Sequence, residues 1–360
     1  MKKNISFYTS TLLSTSFLFS LFITACAAPT STPAQAAIDD TSLPTESVQF
    51  TPVPTFTEET QAVIQPTEDT PTLAAPVVLS GASNTIQFAA NGTYGDIADS
   101  LETGTSKTYT VNAMKGQIMS VSVLPQVPDG NWGYVYLDIK GADGTVLCPQ
   151  LPDTACMFWR GALPSSQDYS ITLTTDSDLS VLEFVLRVAI NPPGKDIQYF
   201  QYTNPISGIS LTYPDTFAPS IPVYGNYKIP PELTLHLIDS KSYEKTNLSE
   251  AYLFVSSSAD SQIVSTCTEP YESGGGFEQI LGDEVINGLT FVHSTSDGAG
   301  AGNYYQQEIY RTVHKNRCYE VIYFMHSTNV GNYPAGTVAE FDRDAILEKL
   351  SSIFSTFTIE

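Results

Sequence analysis

The stretch Gln117-Ile118-Met119-Ser120-Val121-Ser122-Val123-Leu124 decides the fold. In an extended chain, Met119, Val121 and Val123 share one face, whereas the two serines share the other. A helix of this sequence would mix the apolar and polar residues on every side, because its period is 3.6 residues and not 2. The alternation therefore predicts a β-strand.

Similar short segments surround this strand between residues 85 and 190, and none shows a helical period. Asp143-Gly144 is a hairpin signal between two of them. Strands at this spacing, with polar turns between them, indicate an antiparallel β-sandwich. The further strands are predicted at residues 108–111, 134–139, 145–147, 169–174 and 182–190.

Residues 197–360 have a different pattern, in which strands are followed by a helix. The apolar residues of 337–354 recur every four or five positions, which indicates a helix, and 355–359 reads as a last strand. The predicted fold is therefore mainly β, with an N-terminal antiparallel β-sandwich followed by an α+β domain in which an antiparallel sheet carries a C-terminal helix. Asn191-Pro192-Pro193-Gly194-Lys195 is the predicted boundary, because Pro and Gly interrupt strands. The strands of this second domain are predicted at residues 208–214, 233–237, 251–256, 289–293, 304–312 and 319–326.

Cys26 ends a segment with the order of a bacterial lipoprotein signal peptide. Lys2 and Lys3 come first, an apolar stretch follows, and Ala25 precedes the cysteine. Residues 1–26 are thus predicted to be a signal peptide whose cysteine becomes lipidated, which places the rest of the chain on the extracytoplasmic side of the cell membrane. The alternatives are an ordinary secretory signal and a membrane-spanning helix. The second is disfavoured because serines and a threonine interrupt a stretch shorter than the roughly 20 residues needed.

Residues 27–80 are predicted to be a disordered tether. They are rich in Thr, Pro and Ala, contain no Lys or Arg, and carry seven acidic residues. Such a composition buries too little apolar surface to offset the entropy of ordering, and repeated Pro favours extended conformations. A glycosylated stalk has the same composition and remains an alternative.

The formal net charge of −22 restricts the class of partner. Such a surface repels nucleic-acid phosphates and anionic lipid headgroups. It is compatible with solubility outside the cell or with a basic partner.

Besides Cys26 the chain has four cysteines, Cys148, Cys156, Cys267 and Cys318. An even number in an exported protein indicates disulfides, and four cysteines allow three connectivities. If there are two domains, Cys148–Cys156 and Cys267–Cys318 are the natural pairs, one in each. A metal site or a catalytic cysteine is the competing interpretation, but the spacings match no zinc pattern.

Catalytic and metal-binding patterns are weak. His293, Ser294 and Asp297, with Ser258 or Ser210, are residue types of a catalytic triad, but no Ser lies in a GxSxG motif. His314 lies four residues before Cys318, which on a strand separates them by roughly 13 Å. Turn aspartates could bind Ca²⁺, yet their spacing fits no EF-hand. We therefore predict no enzyme, no metal site and no cofactor. The aspartates in question are Asp129, Asp138 and Asp143.

Aromatic residues are abundant, with twenty Tyr and eighteen Phe. Most are expected to fill the core and the sheet edges. Four lie in loop-like contexts, where exposed rings stack on sugars or anchor protein interfaces. The candidate binding residues are Trp132, Tyr224, Tyr227 and Tyr271.

Four phrases of the first domain resemble the PPC-type sandwich (the bacterial pre-peptidase C-terminal domain), and they are also similar to the sandwich of periplasmic lysozyme inhibitors. The phrases are SKTYTVNAMKGQIMSVSV, YVYLDIKGADGTVL, FWRGALPSSQDYSITL and LEFVLRVAI. The matching residues are Tyr109, Gly116, Gln117, Gly144, Trp159, Leu163, Pro164, Asp168 and Tyr169. The resemblance implies an accessory, glycan-binding or inhibitory module.

The second domain resembles the PsbP-like α+β family, which is mostly non-enzymatic. The phrases that carry this resemblance are GISLTYPDTF, INGLTFVHS, YYQQEIYRTVHKNRCYEVIYF and ILEKLSSIFSTFTI.

These observations together predict a lipid-anchored, non-enzymatic binding protein of the cell envelope that recognises a wall glycan or a secreted protein. An inhibitor of a lytic enzyme such as lysozyme is the first alternative, since many lysozymes are basic. A secreted hydrolase is the second, and it would require the triad residues to lie together.

Overall fold

The computed structural model describes residues 78–79, 84–128, 131–148, 156–221, 227–271 and 277–360. The predicted signal peptide with Cys26, and all of the predicted tether except residues 78 and 79, lie outside the described residues, as do Asp129 and Tyr224. Within the described residues the fold is mainly β, with antiparallel sheets and a C-terminal helix, as the sequence predicts.

Two four-stranded antiparallel sheets form the sandwich, which we define as residues 84–190. One sheet has the order β3-β10-β5-β8 and the other β4-β9-β6-β7, whereas β1 and β2 form a separate two-stranded pair. The strands are β1 (Val78–Leu79), β2 (Ile86–Gln87), β3 (Tyr94–Glu102), β4 (Ser106–Ala113), β5 (Ile118–Gln126), β6 (Gly133–Gly141), β7 (Val146–Cys148), β8 (Phe158–Ala162), β9 (Gln167–Ser177) and β10 (Val181–Ile190).

The alternation in β5 places its apolar side chains in the sandwich core. Met119, Val121 and Val123 are buried together with apolar residues of the other strands. Ser120 and Ser122, on the other face of β5, are also buried, at 6% and 8% exposure. They are covered because this face of the sheet packs towards the second half of the chain, which β5 contacts through Phe217–Pro219.

The second half, which we call the C-terminal module (residues 199–360), contains a three-stranded and a seven-stranded sheet. Their orders are β11-β12-β20 and β13-β14-β15-β19-β18-β17-β16. The elements are β11 (Tyr199–Asn204), β12 (Ile209–Pro214), β13 (Phe217–Pro219), β14 (Pro231–Leu237), α1 (Ser240–Tyr243), β15 (Leu248–Ser258), α2 (Ser261–Ser265), β16 (Glu278–Ile286), β17 (Leu289–Gly300), β18 (Asn303–His314), β19 (Arg317–Thr328), α3 (Arg343–Phe354) and β20 (Thr358–Ile359), with a 3₁₀ turn at Val330–Asn332.

Helix α3 covers one face of the seven-stranded sheet. It buries Ile346, Leu350, Ile353 and Phe354 in a core shared with the strands. The predicted helix over 337–354 was too long at its start. Asp342 is the N-cap, in extended backbone, and its carboxylate accepts a hydrogen bond from the backbone N–H of Ala345 at 3.0 Å. A carboxylate in this position ends the extended chain and starts the helix.

Buried polar contacts join the sandwich to the C-terminal module. The guanidinium of Arg160 lies 3.0 Å from the carboxylate of Asp215, which also accepts a hydrogen bond at 3.0 Å from the side-chain amide of Asn191. Arg187 pairs with Asp96 and donates to the hydroxyl of Tyr213. Asp215 and Asn191 are 1% and 0% exposed, so water is excluded from this part of the joint.

Candidate functional site

Three aromatic side chains lie in a row on the outer face of the sandwich sheet β4-β9-β6-β7. Trp132 immediately precedes β6, and Tyr134 and Tyr136 follow at alternate positions. Val135, between the two tyrosines, and Leu137, after the second, point into the core, at 1% and 0% exposure. Because side chains alternate along a strand, this pattern brings all three rings to the same outer face. We call these three residues the aromatic strip.

The rings of the aromatic strip are close enough to act as one surface. The centroids of Trp132 and Tyr134 are 6.3 Å apart, and those of Tyr134 and Tyr136 are also 6.3 Å apart with nearly parallel planes, at 14°. Trp132 is 47% exposed and Tyr134 is 38% exposed. Aromatic rings with this degree of exposure offer apolar faces to a ligand while the tyrosine hydroxyls stay hydrated.

Hydrogen bonds from the neighbouring chain fix the start of the strip. The backbone N–H of Trp132 donates to the carboxylate of Asp178 at 3.0 Å, and its carbonyl accepts from the hydroxyl of Ser177 at 2.9 Å. At Gly133 an added Cβ would lie 2.9 Å from the hydroxyl oxygen of Ser177 and 3.0 Å from a methyl carbon of Leu182, so these side chains would have to shift to accommodate one. The backbone that carries the rings is thus held in place before any ligand binds.

Polar groups border the rings on the adjacent strand β9. Asp176 lies directly opposite Tyr134, and Thr174 lies opposite Tyr136. Burial, followed by the charge of Asp176, raises the pKa of Tyr136. The face therefore combines flat apolar rings with carboxylate and hydroxyl groups that accept hydrogen bonds. This combination suits a ligand with apolar ring faces and many hydroxyls.

The predicted binding residues that the structure describes, Trp132, Tyr227 and Tyr271, do not form one site. Only Trp132 belongs to the aromatic strip. Tyr227 packs edge-on against Phe254 at 5.2 Å on the seven-stranded sheet, where burial raises its pKa to about 12. Tyr271 is 40% exposed and precedes β16, and Tyr224 lies outside the described residues.

Tyr134 and Tyr136 were missed, although the sequence contained a signal for them. The phrase WGYVYL places aromatic residues at 132, 134 and 136 within a segment that already predicted a strand. The period of two alone puts all three on one face.

The residue types of a catalytic triad are separated. His293 and Ser294 are consecutive on β17 and therefore face opposite sides of the sheet. His293 bonds to Glu308 at 2.8 Å, whereas the hydroxyl of Ser294 donates to Glu278. Asp297 lies four residues from His293 along the strand, at the rim of a cavity. These residues do not form a triad.

The cysteines are paired as Cys148–Cys156 and Cys267–Cys318, with Cα atoms 6.2 Å and 5.6 Å apart. In the described ranges, no group of three or more His, Cys, Asp or Glu side chains is placed to hold a metal ion. Asp138 instead forms an ion pair with Lys140, and Asp143 accepts a hydrogen bond from the backbone of Thr145 at 2.9 Å. No helix among the residues that the structure describes is both long enough and apolar enough to cross a membrane.

No protein-family profile matches the chain, and no curated protein matches it. Three solved structures that match are PliG proteins, periplasmic inhibitors of g-type lysozyme. The protein from Aeromonas hydrophila is 19% identical with a TM-score of 0.24, and the match covers 30% of this chain and 94% of that protein. The protein from Salmonella Typhimurium is 16% identical with a TM-score of 0.22, covering 31% and 100%. The mutant protein from Escherichia coli is 17% identical with a TM-score of 0.20, covering 30% and 96%.

Proposed function

We propose that the chain is a lipid-anchored, non-enzymatic binding protein on the extracytoplasmic side of the cell membrane, and that the aromatic strip recognises a cell-envelope glycan. The observation that carries the proposal is the row of three outward rings at 6.3 Å intervals. Sugar rings present apolar C–H faces that stack on aromatic rings, and their hydroxyls donate to acids such as Asp176.

The proposed location rests on Cys26 and on the disulfides. Two disulfides in one chain are typical of proteins that fold in an oxidising compartment outside the cytoplasm. The lipid on Cys26 would hold the chain at the membrane, and residues 27–80 would separate the sandwich from it.

The test is sedimentation of the full chain with insoluble peptidoglycan, chitin and cellulose. The chain is kept in a detergent without a sugar headgroup, because a sugar headgroup would compete for the strip. We expect saturable binding to at least one polymer. Trp132→Ala and Tyr134→Ala should each weaken it about fivefold, which corresponds to about 1 kcal/mol for one stacked ring.

Tyr271→Ala is the matched control, because Tyr271 is 40% exposed, close to the 38% of Tyr134, but lies in the C-terminal module. It should leave binding unchanged. If no polymer binds saturably, or if Tyr271→Ala weakens binding as much as Trp132→Ala, the aromatic strip is not a glycan site.

A secreted basic protein such as lysozyme is the second candidate ligand, and the net charge of −22 favours it. Such a charge attracts basic proteins at long range. Inhibition of lysozyme by the full chain, in the absence of binding to any polymer, would favour this second function.

A further inference from the structure

A cavity of about 490 Å³ opens at the ends of β17, β18 and β19, beside the chain that leads into α3. Tyr304 and Gln306 line it from β18, and Phe341 lines it from the segment before the helix. Tyr304 and Gln306 lie an even number of residues from the buried Tyr310, so the cavity is on the sheet face that α3 covers further along. The cavity belongs to a different sheet from the aromatic strip.

The charged residues that line this cavity are both acids, Asp297 and Glu340. Neither forms an ion pair with another described residue. The nearest polar contact of Asp297 is the side-chain amide of Gln306, at 3.5 Å. Two carboxylates without a cation partner make the cavity negative, and the net charge of −22 adds to that potential.

A buried hydroxyl also lines the cavity. Ser327, on β19, is only 5% exposed as a residue, and it lines the cavity. A hydroxyl can both donate and accept a hydrogen bond, so Ser327 offers the cavity a group that can bond to a polar atom of a ligand.

An aromatic ring completes the cavity wall. The side chain of Tyr304 is 43% exposed, and its hydroxyl accepts a hydrogen bond from the amide of Asn329 at 3.1 Å. On the opposite side, Asn247 accepts from the backbone N–H of Phe341 at 2.8 Å and donates to the carbonyl of Thr328 at 2.6 Å. These bonds hold both walls of the cavity in place without neutralising its acids.

We infer that this cavity binds a protonated primary amine. The ammonium group would lie between Asp297 and Glu340 and over the face of Tyr304, because a cation is attracted both to carboxylates and to an aromatic ring. The hydroxyl of Ser327 and the amide of Gln306 would accept or donate hydrogen bonds to polar groups beside the amine. The inference does not depend on the proposed glycan function.

The test is calorimetric titration of the full chain with glucosamine and with cadaverine. Both carry a protonated amine, and together they distinguish an amino sugar from an aliphatic amine as its source. We expect at least one to bind saturably at one site, whereas N-acetylglucosamine should not bind there, because acetylation removes the charge. Asp297→Asn and Glu340→Gln should each raise the Kd about fivefold to tenfold.

Glu348→Gln is the matched control, since it removes the same charge from an exposed position on α3 and should leave the Kd unchanged. Ser327→Ala should weaken the binding of glucosamine more than that of cadaverine, because cadaverine has no hydroxyl that could bond to Ser327. The inference is overturned if neither amine binds, if N-acetylglucosamine binds as well as glucosamine, or if Glu348→Gln weakens binding as much as Asp297→Asn.

Discussion

His236 lies among aromatic rings in the joint between the two halves. Its imidazole stacks on Tyr252 at 4.4 Å and meets the edge of Phe158, from the sandwich, at 4.8 Å. Burial lowers the pKa of His236 from 6.5 to about 4, because a charged imidazolium loses its hydration there. At neutral pH the folded chain therefore holds this histidine in its neutral form.

This pKa predicts a pH dependence of stability. Between pH 6.5 and 4 the unfolded chain binds a proton at His236 that the folded chain does not, so the free energy of unfolding is highest above pH 6.5 and falls towards pH 4. The loss amounts to at most about 3 kcal/mol. His236→Phe keeps an aromatic ring and should flatten this part of the curve, as measured by urea unfolding at pH 7, 6, 5 and 4.5.

His314→Gln serves as the control for that measurement, since His314 lies at the turn between β18 and β19, paired with Arg317 and not stacked on Tyr252 as His236 is. It should retain the slope of the unaltered chain. A His236→Phe variant with an unchanged slope would mean that His236 is hydrated in the folded state.

At the level of single residues, the sequence indicates which side chains could bind a ligand, but not which of them lie next to one another. Trp132 was identified as a candidate from its loop context, and it does lie in an exposed row of rings. The cavity acids were not identified, because Asp297, on β17, and Glu340, in the segment before α3, are 43 positions apart and only the tertiary fold brings them to one cavity. Separation of this kind leaves no local pattern.

At the level of elements, strands with strict alternation of apolar and polar residues were predictable from the sequence. The residue at which the helix begins was predicted less accurately. The segment 117–124 lies almost entirely within β5, Ile118–Gln126. The predicted helix was six residues too long, because the apolar positions before Arg343 serve other contacts, such as Phe341 in the cavity wall. Strand β16 was not predicted, since its exposed apolar residues do not alternate.

The two disulfides should differ in how much they stabilise these elements. Cys267–Cys318 connects the end of α2 to β19 and closes 51 residues, whereas Cys148–Cys156 closes only 8. In the chain-entropy description the longer loop contributes about 4 kcal/mol and the shorter one about 2.5 kcal/mol. Replacing both Cys267 and Cys318 by Ala should therefore lower the denaturant midpoint more than replacing Cys148 and Cys156.

Equilibrium unfolding of the two double variants under oxidising conditions, each compared with the unaltered chain, measures this difference. An equal loss in both would contradict the ranking and would show that loop length does not dominate here.

At the scale of the whole molecule, the sequence placed a boundary at residues 191–195, where Pro and Gly interrupt the strands. The structure shows Asn191 fully buried there, with its backbone N–H bonded to Ile118 of the sandwich at 2.8 Å and its side chain to Asp215 of the C-terminal module. Sequence breakers reveal where a strand ends. They do not indicate whether the segments before and after the boundary pack against each other. That packing depends on pairs such as Arg160 and Asp215, which are distant in sequence.

The buried joint predicts that the sandwich and the C-terminal module unfold together. Asp215 is the acceptor for both Arg160 and Asn191, so Asp215→Ala leaves the largely buried guanidinium of Arg160 without its ion-pair partner, at a cost of about 3–5 kcal/mol. For the unaltered chain, we expect one calorimetric transition whose calorimetric and van't Hoff enthalpies agree. In Asp215→Ala we expect two transitions, because the contacts of Asp215 with Arg160 and Asn191, which couple the halves in the buried part of the joint, are lost. Asp283→Ala, at an exposed position on β16, should retain the single transition. Two transitions already present in the unaltered chain would mean that the joint is too weak to couple the halves, and each would then have to be stabilised by its own core.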